Sequence, residues 1–178
     1  MIGAQQVIDH VLTEAARLGG ADETIVLVTD QAEASLRWAG NSMTTNGESI
    51  TRATIVISIV RRGDSAHVGS LQSSEVDPAA LPALVRASQQ AARSAPEARD
   101  GFALLTGSEA PPDWDDSAPG TGATVFGDVA ASLTRGFRGA DRLYGFAHHV
   151  VETTYLATST GVRRRYTCLL YTSDAADE

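Results

Sequence analysis

The clearest hydrophobic pattern in this chain is a run of β-branched residues within the stretch 34–67. A period of two places alternate side chains on opposite faces of a β-strand. The two sets are Ile55, Ile57 and Ile59 on one face, and Val56, Ser58 and Val60 on the other. Pairs of residues that tolerate positive φ, as tight hairpins require, occur at Gly40-Asn41, Asn46-Gly47 and Gly63-Asp64. The pattern therefore predicts an antiparallel β-meander with turns at these three pairs.

Two amphipathic helices and one further strand are predicted around the meander. Residues 2–18 carry an apolar stripe at helical spacing, and Gly19 follows where a left-handed residue ends a helix. Residues 24–29 form a continuous apolar run, which predicts a first strand covered on both faces. A second helix begins with Asp77 as its N-cap and Pro78 at its first position. The order helix, antiparallel sheet, helix predicts an α+β fold with the helices packed on one face of the meander.

The second half of the chain is predicted to contain a helix and a further set of strands. Residues 97–122 are rich in Pro and Asp and lack periodicity, so they are predicted to form a long connection anchored by Trp114. Residues 124–138 resume helical spacing, with Val125, Val129 and Leu133 on one apolar stripe and Phe126 and Ala130 beside it. Strands are predicted at residues 143–151, 153–158 and 162–166, with a turn at residues 159–161.

Four parts make up the predicted domain organisation. Residues 1–96 form an α+β N-terminal domain, and residues 97–122 are the Pro/Asp-rich connection. Residues 123–167 supply a helix and strands that lead into a C-terminal domain beyond this sequence. Residues 168–178 read CLLYTSDAADE and resemble the in-frame translation of a transposase adaptor used in sequencing libraries. We interpret them as an artefactual tail, which includes the only cysteine, Cys168; a natural amphipathic tail is the alternative.

Composition and charge argue against several classes of partner and site. The net charge is −8 and all 14 basic residues are arginines. No nucleic-acid partner is expected, because phosphate binding needs a basic stripe. No membrane partner is expected either, because no apolar run reaches the length of a membrane span. Disulfide, thiolate and cysteine–zinc sites are not expected, since the only cysteine lies in the tail.

The most suggestive chemical cluster is formed by His148, His149 and Glu152. Adjacent residues of a strand face opposite sides of the sheet, so the two histidines are not expected to meet at one metal ion. Gly120-Thr-Gly122 precedes a helix but lacks the preceding strand that a dinucleotide-binding loop requires. No residue of this sequence is therefore assigned a catalytic, cofactor-binding or metal-binding role.

Two further features have a structural interpretation. Three consecutive arginines occupy residues 163–165, and two of them share one face of a strand. They are interpreted as a solvated or interface face, with anion or partner contact as the alternative. Trp38 alternates with Leu36 and is predicted to lie in the core rather than to stack on a partner.

Several whole segments carry a family resemblance. They are the N-terminal helix that ends at Leu18-Gly19, ASLRWAGNSMTTNGES, SSEVDPAALPALVRASQQAARSAPEARD and LYGFAHHVVETTYLATSTGVRRRY. Together they resemble the N-terminal region of the TldD/PmbA metallopeptidase family, nearer to its TldE (PmbA-like) members than to TldD. The resemblance spans residues 1–167 and rests on no single specific motif.

The resemblance implies a cytoplasmic peptidase complex of two related subunits that degrades or processes unfolded peptides. In that family the TldD-like subunit carries an HExxxH helix that binds zinc and supplies the general base, and the TldE-like partner lacks it. HExxxH is absent from this sequence, so the resemblance implies no cofactor here and zinc only in the TldD-like partner. The chain alone is expected to be inactive. The alternatives are a stand-alone, non-enzymatic α+β module that binds peptide or protein, and a fragment of the zinc-bearing TldD-type subunit.

Overall fold

A computed structural model describes residues 2–75, 77–107, 109–139 and 141–177. Its helices are α1 (Ala4–Leu18), α2 (Leu81–Ser94) and α3 (Gly127–Gly136), with short 3₁₀ helices at Pro78–Ala80 and Ala123–Phe126. Its strands are β1 (Glu23–Ala39), β2 (Ser42–Arg62), β3 (Ser65–Ser73), β4 (Leu143–Thr158) and β5 (Arg163–Asp177). The strands form one antiparallel sheet in the order β3-β2-β1-β4-β5, with helices on one side. The predicted α+β class is confirmed.

The chain divides into two compact units, each built from several segments. Unit 1 comprises Met1–Asp30, Arg52–Ser117 and Thr154–Tyr166, and unit 2 comprises Gln31–Thr51, Ala118–Thr153 and Thr167–Glu178. Four of the five strands therefore contribute residues to both units. The predicted boundaries at residues 96 and 122 stay predictions. Among the described residues, no helix is long and apolar enough to cross a membrane.

Unit 1 has a core of apolar side chains from α1, α2, the sheet and the connection that contains Trp114. The buried members include Val7, Ile8, Val11, Val26, Val28, Val56, Leu81, Val85, Trp114 and Tyr155. Full burial of each valine or isoleucine contributes about 1.5–3 kcal/mol, so this cluster supplies much of the stability of the unit. The buried positions of α1 follow the predicted stripe, and Trp114 is buried as predicted.

The ends of both helices in unit 1 agree with their sequence signals. Gly19 ends α1 in the left-handed conformation, with φ of 59°. Asp77 caps the turn before α2, where its carboxylate accepts a hydrogen bond of 2.9 Å from the backbone N–H of Ala79. Pro78 begins a 3₁₀ turn, and the α-helix itself begins three residues later at Leu81.

A glycine allows α2 to approach β3 closely. A Cβ atom on Gly69 would lie 2.2 Å from the backbone nitrogen of Ala92 and 2.4 Å from the carbonyl oxygen of Ser88. No side chain fits at that distance. Beside this contact, the buried hydroxyl groups of Ser58 on β2 and Ser88 on α2 are 2.7 Å apart and hydrogen-bonded.

Two of the three predicted turns are confirmed and the third is wrong. Gly40 and Asn41 both have positive φ, 57° and 63°, as a type I′ hairpin requires, and Gly63 has φ of 61° at the next turn. Asn46-Gly47 instead lies within β2. The reason is the length of β1, which continues to Ala39 and needs a partner strand of matching length. A turn at Asn46-Gly47 would end the partner strand after a few residues, and most of β1 would then remain unpaired on that side.

The remaining strands are longer than predicted. Residues 24–29 belong to one continuous β1 that reaches Ala39, and residues 143–158 form one strand, β4. The predicted cover on both faces of residues 24–29 is wrong. Val26 and Val28 are buried, whereas Ile25 and Leu27 alternate with them and are only half-buried, because the helices pack on one side. β5 extends past residue 166 through the exposed tail residues 168–176.

Unit 2 has its own smaller core beneath α3. Its buried members are Ala34, Leu36, Trp38, Phe126, Leu133 and Ala147. Trp38 is therefore in the core, as predicted. The predicted inward position of Val125 is wrong, since 41% of it is exposed and Phe126 is buried instead. A 3₁₀ turn has about three residues per turn rather than about 3.6, so the turn at Ala123–Phe126 changes which residue faces the sheet.

Candidate functional site

The two adjacent histidines of β4 have different partners within unit 2. His148 Nε2 lies 2.9 Å from Oε1 of Glu33, without the geometry of a hydrogen bond, so this contact is favourable only when the imidazole is protonated. His149 Nδ1 lies 2.7 Å from the hydroxyl of Thr121. Among the described residues, no group of three or more His, Cys, Asp or Glu side chains is arranged to hold a metal ion.

The helix start that follows Gly120-Thr-Gly122 is already occupied by a carboxylate. The backbone N–H of Ala123 donates a hydrogen bond of 2.6 Å to Oε1 of Glu48. A Cβ atom on Gly122 would lie 2.9 Å from the same oxygen, so the glycine leaves room for it. Free N–H groups at a helix N-terminus attract anions such as phosphate. Here the carboxylate of Glu48 occupies the position that such an anion would take.

Two of the three consecutive arginines hold the connection in place within unit 1. Arg163 lies over the ring of Trp114, 5.7 Å from its centroid, and Arg165 lies over Tyr155 at 5.5 Å. Trp114 and Tyr155 meet edge to face at 5.8 Å. Such cation–π contacts contribute about 0.5–2 kcal/mol each. The face shared by these two arginines is therefore an internal interface.

An ion pair reinforces the same contact. Arg165 Nη1 donates a hydrogen bond of 2.8 Å to Asp113, in the Pro/Asp-rich connection. The contact with Tyr155 and then the Asp113 carboxylate raise the pKa of Arg165 above its ordinary value, so its guanidinium stays charged. Only Arg164 of the three is exposed.

A cavity in unit 2 lies against the indole of Trp38. Its volume is about 550 Å³, and its lining includes Val129, Leu133 and Leu143. Ser173 and Asp174 of the tail form part of its wall. The indole Nε1 is buried and has no hydrogen-bond acceptor among the described residues. Because the tail residues are interpreted as foreign to the protein, this cavity is a weak candidate for a ligand site.

The strongest candidate site is the outer edge of β2 at residues 42–51, which we call the open edge. The pairing of β2 with β3 begins at Thr54 opposite Ser73 and continues to Arg62 opposite Ser65. In the described part of the chain, no strand pairs with β2 on that side at residues 42–51. All these residues are exposed, so neither face of the strand is covered there.

The open edge went unrecognised in the sequence because a turn was predicted inside it. One sequence signal was available. Residues 42–51 read SMTTNGESIT, with no proline and with Glu48 as the only charged residue. Natural proteins usually protect an exposed strand edge with charges, proline or a bulge. A long strand edge with a single charge, and with no partner strand on that side among the described residues, is therefore an indication of a binding edge.

Comparison with known proteins finds a shared fold and no match by sequence. No protein-family model matches the chain, and no curated protein matches it either. TldE from Thermococcus kodakarensis has a similar structure, with a TM-score of 0.66 over 96% of this chain and 42% of that protein, at 10% identity. Two proposed modulators of DNA gyrase match in the same way at 12% identity. The protein from Bacteroides thetaiotaomicron has a TM-score of 0.70 over 98% of this chain and 41% of its own. The one from Thermotoga maritima has a TM-score of 0.60 over 98% of this chain and 42% of its own.

These matches concern the fold, because their identities are low. The chain spans about two fifths of the length of the solved structures that it matches. Its α+β architecture is thus similar to one part of TldE and of the two proposed gyrase modulators.

Proposed function

We propose that this chain is the N-terminal part of a TldE-like subunit in a zinc metallopeptidase complex that degrades or processes unfolded peptides. The observation that carries the proposal is the similarity to TldE, which extends over 96% of the chain with a TM-score of 0.66. The segment resemblance in residues 1–167 points to the same family independently of the coordinates. The complex is expected to act in the cytoplasm.

Within this complex the chain contributes binding surface and no catalytic group. Its described histidines and carboxylates form no arrangement of three or more metal ligands. By the family resemblance, a TldD-like partner would supply zinc, which activates a water molecule for attack on the peptide bond. The part left to this chain is to hold the partner subunit and extended substrate, for which its sheet is suited.

The test compares three preparations: the chain, the TldD-type subunit from the same organism, and a mixture of the two. Each is assayed for cleavage of a fluorogenic unfolded peptide with and without a chelator, and each is sized by gel filtration. We expect a mixed complex with chelator-sensitive cleavage and no cleavage by the chain alone. Chelator-sensitive cleavage by the chain alone, or failure of the two proteins to associate, would contradict the proposal.

The open edge favours a second candidate, a stand-alone module that binds extended polypeptide without any peptidase. Sequencing the source gene across the codon for Thr167 separates the candidates. A reading frame that continues into a further β-rich domain supports the subunit. An HExxxH motif in that continuation would instead identify the zinc-bearing TldD type. A stop after the tail would favour the stand-alone module.

A further inference from the structure

The sheet of unit 1 has a second side, which faces away from the helices and which we call the back face. Its residues alternate along each strand with those that are buried beneath the helices. An ion pair between Arg61 of β2 and Glu23 of β1 shows that these two positions share the back face. The hydroxyls of Thr29 on β1 and Thr154 on β4, 2.9 Å apart, join the next strand to it. Its apolar members are Ile25, Leu27, Ile55, Ile57, Ile59, Val68 and Leu156.

The back face is apolar without being covered by a helix among the described residues. Most of its apolar side chains are half-buried, and Val68 is 37% exposed. Along β1 and β2 within unit 1, the only charged members are Glu23 and Arg61, which pair with each other. An antiparallel sheet that faces water on one side normally carries polar residues at every second position there. The back face therefore has the composition of a surface that is meant to be covered.

The corresponding positions of unit 2 are polar. The even-numbered residues 32–38 of β1 are buried, and those that alternate with them are Gln31, Glu33, Ser35 and Arg37. His148 of β4 contacts Glu33 on this side. A polar sheet surface is stable in water without a cover, so the need for one is confined to unit 1.

One border of the back face carries an aromatic side chain on a firmly held backbone. Arg61 donates hydrogen bonds of 2.8 Å to the carbonyls of Gly101 and Phe102, and the N–H of Leu104 donates one of 2.9 Å to Glu23. The Phe102 side chain is nevertheless 84% exposed. A fixed, exposed aromatic residue beside an apolar surface is typical of an anchor in an interface.

We infer that the back face of unit 1 is covered by the C-terminal region of the same protein, the part beyond residue 167 that the proposed function implies. The inference rests on that proposed function. The solved structures similar to this chain match it over only 41–42% of their own length, so each has more than half of its chain available for such a layer. Because the back face is uncharged at its centre, the covering side chains are apolar and uncharged as well.

Two other occupants fit the back face less well. A second copy of this chain also carries a net charge of −8, so the two copies repel each other. A partner subunit that dissociates would leave a large apolar surface in water each time. A region of the same protein stays attached, and permanent contacts are the ones that resemble the core of a domain. Both alternatives are separate outcomes of the experiment.

The experiment compares this chain with the protein expressed from the complete reading frame of its source gene. In the chain, Cys168→Ser removes the only cysteine. Ile57→Cys then places a thiol on the back face, and Val56→Cys places one on the buried side of the same strand. Gln90→Cys, at an exposed position of α2, is the control. The rate of alkylation by N-ethylmaleimide is read at each site by mass spectrometry of the peptide that contains it.

We expect the cover to slow alkylation at position 57 and nowhere on the outer surface of α2. In this chain, the Ile57→Cys variant should react about tenfold or more faster than the Val56→Cys variant, whose thiol is reached only through local opening. In the complete protein, the rate at position 57 should fall about tenfold or more, because the same kind of opening is then required. The Gln90→Cys variant should react equally in both proteins.

Equal alkylation of the Ile57→Cys variant in both proteins would overturn the inference. Protection that appears only when the TldD-type subunit is added, or only as the protein concentration rises, would identify a different occupant and would overturn it too. Should the Ile57→Cys variant fail to fold, Leu27→Cys on the neighbouring strand β1 decides by the same criterion.

Failure of the inference and failure of the proposed function give different results. Protection at position 57 without association with the TldD-type subunit would refute only the proposed function. Association with unchanged alkylation at position 57 would refute only the inference. A reading frame that stops after the tail would refute both, because there would be no C-terminal region.

Discussion

The two halves of β2 have the same strand geometry and opposite surroundings. In the half that belongs to unit 1, Thr54, Val56 and Ser58 are buried, and the strand has a partner from Thr54 to Arg62. In the half that belongs to unit 2, residues 42–51 are exposed on both faces, and no strand in the described part of the chain pairs with them on the outer side. Side-chain burial therefore stabilises the first half, whereas the second half has neither that burial nor an outer partner strand among the described residues.

The unit 1 half also contains a buried charge with a complete set of partners. Arg52 is 8% exposed and donates hydrogen bonds of 2.5 and 2.7 Å to the two carboxylate oxygens of Asp30. It donates a third hydrogen bond, of 2.5 Å, to the carbonyl of Ile2 before α1. One side chain thus joins β2, β1 and the N-terminal segment of unit 1. The open half of β2 has no buried arginine of this kind.

The largest effect is expected from Arg52→Ala. Removing one partner of a buried ion pair leaves the other charge unpaired, here Asp30, and costs about 3 kcal/mol or more. Arg37→Ala is the matched control, because Arg37 is exposed on β1 and should change stability by less than about 0.5 kcal/mol. Urea unfolding of the two variants measures the difference. Similar stabilities would show that the buried half of β2 does not depend on this pair.

The next largest effect is expected from Gly69→Ala on β3. The new Cβ would collide with the backbone of α2, and the shift of the helix should cost about 2–3 kcal/mol. Gly47→Ala in the open half is the matched control, since its nearest contact is the Ser35 hydroxyl at 3.3 Å. That substitution should be neutral or slightly stabilising, because alanine loses less chain entropy than glycine. Thermal unfolding that shows equal losses would contradict the predicted difference between the two halves.

A smaller loss is expected from Ser58→Ala. The substitution leaves the buried Ser88 hydroxyl without its 2.7 Å partner across the sheet–helix interface, which costs about 1 kcal/mol. Ser88 retains a bond of 3.0 Å to the carbonyl of Val85, which limits the loss. Ser49→Ala, at an exposed position in the open half, is the control. Chemical unfolding should separate the two variants; a larger loss for Ser49→Ala would be inconsistent with an uncovered strand.

The smallest effect is expected from Ile50→Ser. Ile50 is 75% exposed, so replacing it should change the free energy of unfolding by less than about 0.5 kcal/mol. Urea unfolding measures the change, and a loss of about 1 kcal/mol or more would contradict the exposed position of this side chain.

Local patterns predicted most of the fold. Alternation identified the strands, and the left-handed Gly19 and the Asp77 cap located helix ends, because these signals depend on residues close in sequence. The prediction of a turn at Asn46-Gly47 is wrong for a non-local reason. Whether such a pair forms a turn depends on the length of the neighbouring strand, here β1, with which it must pair. The predicted inward position of Val125 is wrong because a 3₁₀ turn changes which residues face the sheet. Residue spacing in the sequence does not reveal where such a turn occurs.

The candidate site was less predictable than the fold. The pairing of Arg52 with Asp30 joins residues 22 positions apart and depends on strand register. The open edge depends on a difference in length, since β3 is nine residues long and β2 is 21. Once a turn was predicted at Asn46-Gly47, β2 was divided in two and this difference disappeared. Arg163 and Arg165 were correctly placed on one face, but the sequence does not reveal their aromatic partners, which are Trp114 in the connection and Tyr155 on β4.

The stacked arginines have a consequence for proteolysis of the Pro/Asp-rich connection. Trp114 is 7% exposed and lies between Arg163 and Tyr155, and its carbonyl accepts a hydrogen bond of 2.6 Å from Gln5. The carbonyls of Phe102 and Leu105 also accept hydrogen bonds, from Arg61 and Thr160, but their side chains are 84% and 81% exposed. A protease that cleaves after large apolar residues should therefore cut the native connection at Phe102 and Leu105 long before Trp114. Residues 113–117 contact Tyr155 and Arg165 even though only Trp114 among them is buried, so the first cut would leave this segment attached to unit 1.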